Sequence, residues 1–232
     1  MVEPGYTVFD PDPRVTHWAD AALAVARGLD VSERRHGGTW FVGVDALPNQ
    51  PDGSINGVKL VGPWDVAGPW HRAQLSIVFP GYPRQDPDES DAAHRYRIKR
   101  DAAHMDGLLP EGPKRQRHLR EPHRFILGIP LDAVSASPLV VWPGSHLVMG
   151  AAFQKRFEGI APDDWGDIDV TDTYQAARRK VFDLCPRIEV VMRPGQSVLL
   201  HRHLIHGVAP WQGSDVREGR MVAYFRPPHR DS

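Results

Sequence analysis

His104-Met105-Asp106 and the distant run Pro194-Gly195-Gln196-Ser197-Val198-Leu199-Leu200-His201-Arg202-His203-Leu204-Ile205-His206-Gly207 decide how this chain folds. Residues two apart on an extended strand point to the same face, so His104 and Asp106 can reach one metal ion. His206, at the end of an apolar run with strand character, offers a second imidazole. Two imidazoles and one carboxylate on one side of an ion leave coordination positions open for other ligands. The two segments lie far apart in sequence, so only a fold can bring them together.

The chain has 232 residues, enough for one substantial core. It is expected to form one domain over 1–232: an N-terminal helical segment about 1–60, a barrel core about 61–226 and a helical insertion about 150–185. Hydrophobic residues make up 41% and charged residues 25%, ordinary values for a globular protein. A net charge of −1 provides no field for nucleic acid or an anionic membrane. Cys185 is the single cysteine and cannot form an internal disulfide, which suits a reducing compartment. Met1-Val2-Glu3-Pro4-Gly5 lacks the basic-then-apolar pattern of a leader. No apolar run approaches the roughly 20 residues that span a bilayer. These features together predict a cytoplasmic protein with no membrane or nucleic-acid partner, and they leave its oligomeric state open.

The 22 prolines and 21 glycines are scattered, as in a chain of short strands joined by turns. Apolar spacing predicts helices over 16–28 and 171–185. Strands are expected over 39–44, 58–61, 74–79, 96–106, 124–130, 139–142, 188–192, 197–206 and 220–225. The acidic, proline-bearing stretch 83–93 reads as an exposed loop.

The chain resembles the phytanoyl-CoA dioxygenase-like family of Fe(II)- and 2-oxoglutarate-dependent oxygenases. The matching pieces are His104-Met105-Asp106, Trp142-Pro143-Gly144-Ser145-His146, Leu204-Ile205-His206-Gly207 and Gly219-Arg220, in that order. It departs from the family at Val208-Ala209-Pro210-Trp211, where an Asn usually follows the distal His. The resemblance implies a mainly β fold with flanking helices, a double-stranded β-helix or jelly-roll, cupin-like barrel. It also implies Fe(II) held by His104, Asp106 and His206, with 2-oxoglutarate and O2 as co-substrates. The far carboxylate of 2-oxoglutarate needs a cation offering parallel N–H donors, which favours Arg over Lys. Arg220 is the candidate, with Arg217 as the alternative.

His201 and His203 compete with His206. Gly195-x5-His201-x-His203 begins like the first metal motif of small cupins, but that motif then needs a Glu where Gly207 and Val208 stand. His201 is therefore expected to pack, and His146 to belong to a turn. Trp142 and Trp211 are expected in the pocket lining or the core. Between Arg95 and Arg124, nine basic residues face four acidic ones, which points to an anionic small-molecule substrate. The expected activity is dioxygenase hydroxylation, because related halogenases place Gly or Ala where Asp106 stands. Two alternatives use the same ligands: a Zn(II) or Ni(II) hydrolase or isomerase, and a non-catalytic metal- or 2-oxoglutarate-binding sensor.

Overall fold

The computed structural model describes residues 4–213 and 217–229, so the leader reading of Met1-Val2-Glu3 lies partly outside the described residues. A seven-stranded antiparallel sheet runs, in spatial order, β1 (Tyr6–Phe9), β10 (Ser197–His201), β7 (Phe125–Pro130), β12 (Arg220–Phe225), β4 (Gln74–Val78), β3 (Trp40–Gly43) and β2 (Arg34–Arg35). A smaller sheet orders β11 (His206–Val208), β8 (Leu139–Val141) and β9 (Ile188–Val190), and β5 (Leu108–Glu111) pairs with β6 (Gln116–Leu119) as a separate hairpin. The helices are α1 (Pro13–Ala26), α2 (Asp91–Lys99), α3 (Ser145–Arg156) and α4 (Thr171–Leu184). The structure is mainly β, with a large antiparallel sheet. Among the described residues no helix is long and apolar enough to cross a membrane.

The central strands of the large sheet are buried on both faces, and their alternation explains why. Leu127, Ile129, Leu199, Ala223 and Phe225 face α1 and a cluster holding Trp18, Trp64 and Trp70. Their neighbours Ile126, Val198, Leu200 and Tyr224 face the small sheet, meeting Leu139, Val141, Val190 and Leu204. A sheet covered on one side by a helix and on the other by a second sheet has no solvent face, so its strands read as continuous apolar runs. Each fully buried Leu or Ile contributes roughly 1.5–3 kcal/mol. Helix α1 is started by Asp12, whose carboxylate accepts the Arg14 N–H at 2.8 Å, and by Pro13 in its first turn. Its Trp18 indole donates to the Gly53 carbonyl at 2.9 Å, so this fully buried ring leaves no orphan donor.

Several expected elements differ. Residues 91–99 form α2 where part of a strand is expected: Ser90 caps the helix, Asp91 lies in its first turn, and Arg97 and Lys99 lie in its last. Those charges favour the ends of a helix dipole, and they outweigh the isolated apolar residues that suggest a strand. Residues 58–61 form no strand; Ile55 and Val58 make one isolated bridge. The expected strand 197–206 breaks at a turn closed by Leu204 N–H donating to the His201 carbonyl at 2.8 Å, so β10 and β11 enter different sheets. Of the described residues up to 60, only α1 is helical, while β1, β2 and β3 join the large sheet.

His36 provides a test of the packing around β3. It is 8% exposed, its ring stacks on Trp40 at 5.5 Å, and its backbone N–H donates to Asp86 at 2.9 Å. Burial, helped by the nearby Arg97 charge, pushes its pKa down from 6.5 to about 4. Between those values the unfolded chain takes up a proton that the native chain refuses. The His36 contribution is therefore intact above pH 6.5 and is lost as pH falls toward 4. The urea midpoint should fall across this range, and His36→Gln should make that fall shallower. An identical slope in the variant would remove His36 from the explanation.

Candidate metal centre

His104 sits just beyond α2, in extended backbone outside any named strand. His104 N–H donates to the His206 carbonyl at 2.8 Å, and His206 N–H returns a bond to the His104 carbonyl at 3.0 Å. The two histidines are thus a reciprocally bonded antiparallel pair, with ring centroids 4.6 Å apart. One bond further on, Val208 N–H donates to the Asp101 carbonyl at 2.9 Å. Asp101 and Ala102 both have positive φ, +52° and +53°, and this tight turn leads the chain from α2 into the pair. The buried Asp101 carboxylate is clamped by Arg187 through Nε and Nη2 at 2.7 and 2.8 Å, tying the turn to the strand-entry segment before β9. Gly207 is needed where it stands, because a Cβ there would lie 2.1 Å from the Asp101 carbonyl oxygen.

Asp106 shares a face with His104, as the two-residue spacing predicts. Its Oδ1 lies 3.1 Å from His104 Nε2 and 3.7 Å from His206 Nε2. Ligand atoms of His104, Asp106 and His206 all fall within 4.8 Å of one another, the only such His/Cys/Asp/Glu group among the described residues. Each histidine bonds its Nδ1 to a backbone carbonyl, His104 to Ala102 at 2.9 Å and His206 to Leu204 at 3.0 Å. With Nδ1–H donating there, a neutral ring keeps its lone pair on Nε2, the atom nearest the carboxylate, whereas a protonated His104 donates Nε2–H to Asp106. Asp106 and His206 side chains are 10% exposed, whereas His104 is 45% exposed and forms the open side.

Burial works against the charge on Asp106, but His206, His104 and Arg226 together outweigh it and hold the carboxyl well below its ordinary range. Burial pushes His206 down to about 4, so it is neutral near pH 7. For His104 burial pulls the same way, yet the hydrogen bond and charge of Asp106 prevail and its pKa is raised.

The sequence-predicted cations separate. Arg217 is exposed. Arg220 opens β12 at 6% exposure, on the inward side, and its Nη1 is buried with no hydrogen-bond partner among the described residues. Arg226, absent from the sequence-based candidates, places Nη1 3.2 Å from Asp106 Oδ2. It lies an even number of residues after Arg220, as do Val222 and Tyr224, and two-residue periodicity along β12 is the signal that finds it.

The remaining residues surround the three. Ser145 Oγ accepts the Ile205 N–H at 2.9 Å, and Trp142 N–H donates to the Ile205 carbonyl at 3.1 Å. The Trp-Pro-Gly-Ser-His turn therefore holds the residue just before His206. His146 is buried beside His201, with ring centroids 5.0 Å apart, and His201 Nδ1 accepts the His203 N–H at 3.1 Å. A cavity of about 680 Å³ opens against Asp106 and Met105, walled by α3, Trp165 and the Arg202-His203 turn. Trp142 belongs to the core beside Met149, and neither it nor Trp211 lines this cavity.

No protein-family model matches the chain, and no curated protein matches it. The solved structures similar to this chain include the following three. EvdMO1 is 18% identical, with a TM-score of 0.46, covering 98% of this chain and 48% of its own. SnoK, a non-heme alpha ketoglutarate dependent carbocyclase from nogalamycin biosynthesis, is 17% identical, with a TM-score of 0.45, covering 97% and 80%. EctD from S. alaskensis with bound Fe is 17% identical, with a TM-score of 0.43, covering 96% and 72%. The chain spans about half the length of EvdMO1.

Gly207→Ala should push β11 away from the 101–104 segment and spread the histidine pair. Calorimetric titration with Co(II) should show metal affinity reduced roughly 10–100-fold, as when supporting groups of a metal site are lost. Far-ultraviolet circular dichroism should be unchanged. Full affinity in the variant would mean that the His104–His206 pairing does not position the ligands.

Proposed function

We propose that this chain is an Fe(II)- and 2-oxoglutarate-dependent dioxygenase of the phytanoyl-CoA dioxygenase-like type, hydroxylating a small molecule. In this reading its two facing sheets form a single-domain jelly-roll, a double-stranded β-helix barrel. The observation that carries the proposal is the convergence of His104, Asp106 and His206 ligand atoms within 4.8 Å of one another. Two imidazoles and one carboxylate on one side of an ion are the donor set of non-haem Fe(II) oxygenases.

The residues fit the group. His104 and His206 would each offer Nε2, with Nδ1 already committed to backbone carbonyls. Asp106 would offer a carboxylate kept ionised by its neighbours, and Arg226 would fix that carboxylate through its other oxygen. Arg220 would take the far carboxylate of 2-oxoglutarate, because its buried Nη1 lacks a hydrogen-bond partner and both oxygens of its charged neighbour Asp132 are taken by backbone N–H groups. When bound, Fe(II) and 2-oxoglutarate supply the oxidant, made from O2 as the co-substrate is decarboxylated. The protein's own part is to orient the target carbon over the exposed side of His104 and to keep water from the cavity beside Asp106. A third protein ligand at Asp106 leaves no room for a halide, so oxygen transfer is the expected outcome.

Anaerobic addition of Fe(II) and 2-oxoglutarate should give a weak visible charge-transfer band. Asp106→Ala and His206→Ala should each abolish it, and His201→Ala should retain it. Loss in His201→Ala with retention in His206→Ala would refute the ligand assignment. Turnover with Zn(II) but not Fe(II) would favour the hydrolase alternative, and binding without succinate release would favour the sensor.

Arg220→Gln should raise the 2-oxoglutarate dissociation constant with Fe(II) affinity retained. Removing one partner of a buried charge pair costs on the order of 2–5 kcal/mol, roughly 30-fold or more in affinity. Unchanged affinity by calorimetry would move this role to another cation, with Arg226 the nearest to the three ligands.

A further inference from the structure

The cavity beside Asp106 has a wall and an electrostatic character that narrow its ligand. Phe157 and Trp165 stack at 4.8 Å with their planes 11° apart, and Phe153 stacks on Phe157 at 5.9 Å and 17°. Phe153 continues to His203 at 6.0 Å. Phe153 and Phe157 are buried, so Trp165, the half-buried end of this ladder, offers the accessible ring surface. Its indole N–H donates to the Ile160 carbonyl at 3.0 Å, which holds the ring in place before any ligand arrives. A rigid, pre-positioned ring surface costs little ordering entropy when a flat ligand stacks on it.

Two cations line the same cavity, Arg202 and Lys155. Arg202 is half-buried, and no carboxylate pairs with it or with Lys155 among the described residues. The acids lining the cavity are Glu158, which is exposed, and Asp106, which already faces two histidines and Arg226. The volume, about 680 Å³, is that of a pocket for a medium-sized organic molecule.

We infer that this cavity takes a flat, ring-bearing organic acid, with the ring against Trp165 and the anionic group on Arg202, so that the ligand lies beside Asp106. Arg202 presents planar paired donors suited to an oxyanion, while Lys155 at the rim adds a point charge. The basic stretch 95–124 contributes none of these cations, which come instead from α3 and the turn between β10 and β11. The inference rests on the oxygenase reading only in naming this ligand a substrate; the binding preference stands without it.

The test is calorimetric titration of the full chain, without added metal, with three probes: 2-naphthylacetate, its neutral amide 2-naphthylacetamide, and octanoate. The naphthyl acid should bind roughly tenfold or more tighter than the amide, the difference expected for a charge-assisted hydrogen bond. It should also bind more tightly than octanoate. Arg202→Gln should bring acid and amide to similar affinity, and Arg202→Lys should restore part of the difference. Trp165→Leu should weaken both naphthyl probes and leave octanoate unchanged. Equal binding of acid and amide, a preference that survives Arg202→Gln, or no binding of any probe would each overturn the inference. Because no metal is present, a chain that fails to bind Fe(II) and 2-oxoglutarate can still show the acid preference. A chain that binds both can still lack it.

Discussion

The reciprocal backbone bonds between His104 and His206 are the constraint on which the rest of the site depends. Two residues from opposite halves of the chain exchange N–H and carbonyl, so their side chains are neighbours by the geometry of an antiparallel pair. Asp106 follows two residues on, in the turn before β5, with its carboxylate on the same side as both imidazoles. No long strand is required. One pair, braced by the Asp101–Val208 bond and by Arg187 on Asp101, places the three donors.

Bracing comes from both sheets. The small sheet presents β11 with His206 at its start, while the large sheet carries β12, whose inward side brings Arg220 at one end and leads to Arg226 beyond the other. The apolar layer between the sheets shields His206 and Arg220 from solvent, which strengthens each interaction there and makes an unpaired one costly. Asp106 is balanced on both oxygens, by the histidines and by Arg226. The buried Nη1 of Arg220 has no hydrogen-bond partner among the described residues, and Asp132, its charged neighbour, commits both oxygens to the Val134 and Met221 N–H groups.

The segment between the sheets serves the site in two ways. The Trp142–His146 turn fixes Ile205 through Ser145, and with it the approach to His206. Helix α3, which begins at that turn, then supplies the Phe153 side of the cavity. Ligand placement and the shape of the neighbouring pocket are therefore mechanically linked through one short motif.

Much of this was legible in the sequence. The strand-rich character of 124–130 and 220–225, the helix near 171–185 and the shared face of His104 and Asp106 follow from local rules of periodicity and sterics. Residues 96–99 read as the start of a strand because scattered apolar residues imitate one, while the charges of 91–99 are spaced to suit helix ends. The break at His201 falls on His201-Arg202-His203, but apolar residues on both sides, Val198-Leu199-Leu200 and Leu204-Ile205, make the stretch read as one strand. Sequence alone determined which residues have side chains able to bind a metal and that His104 and Asp106, two apart, can share a face, since these depend only on side-chain type and backbone period. Only the tertiary structure decided that Arg226 reaches Asp106, that Arg217 is exposed while Arg220 is buried, and that Trp165 and Arg202 meet across one cavity. Those facts depend on which segments the folded chain brings together, and no local rule encodes a contact between residues so far apart.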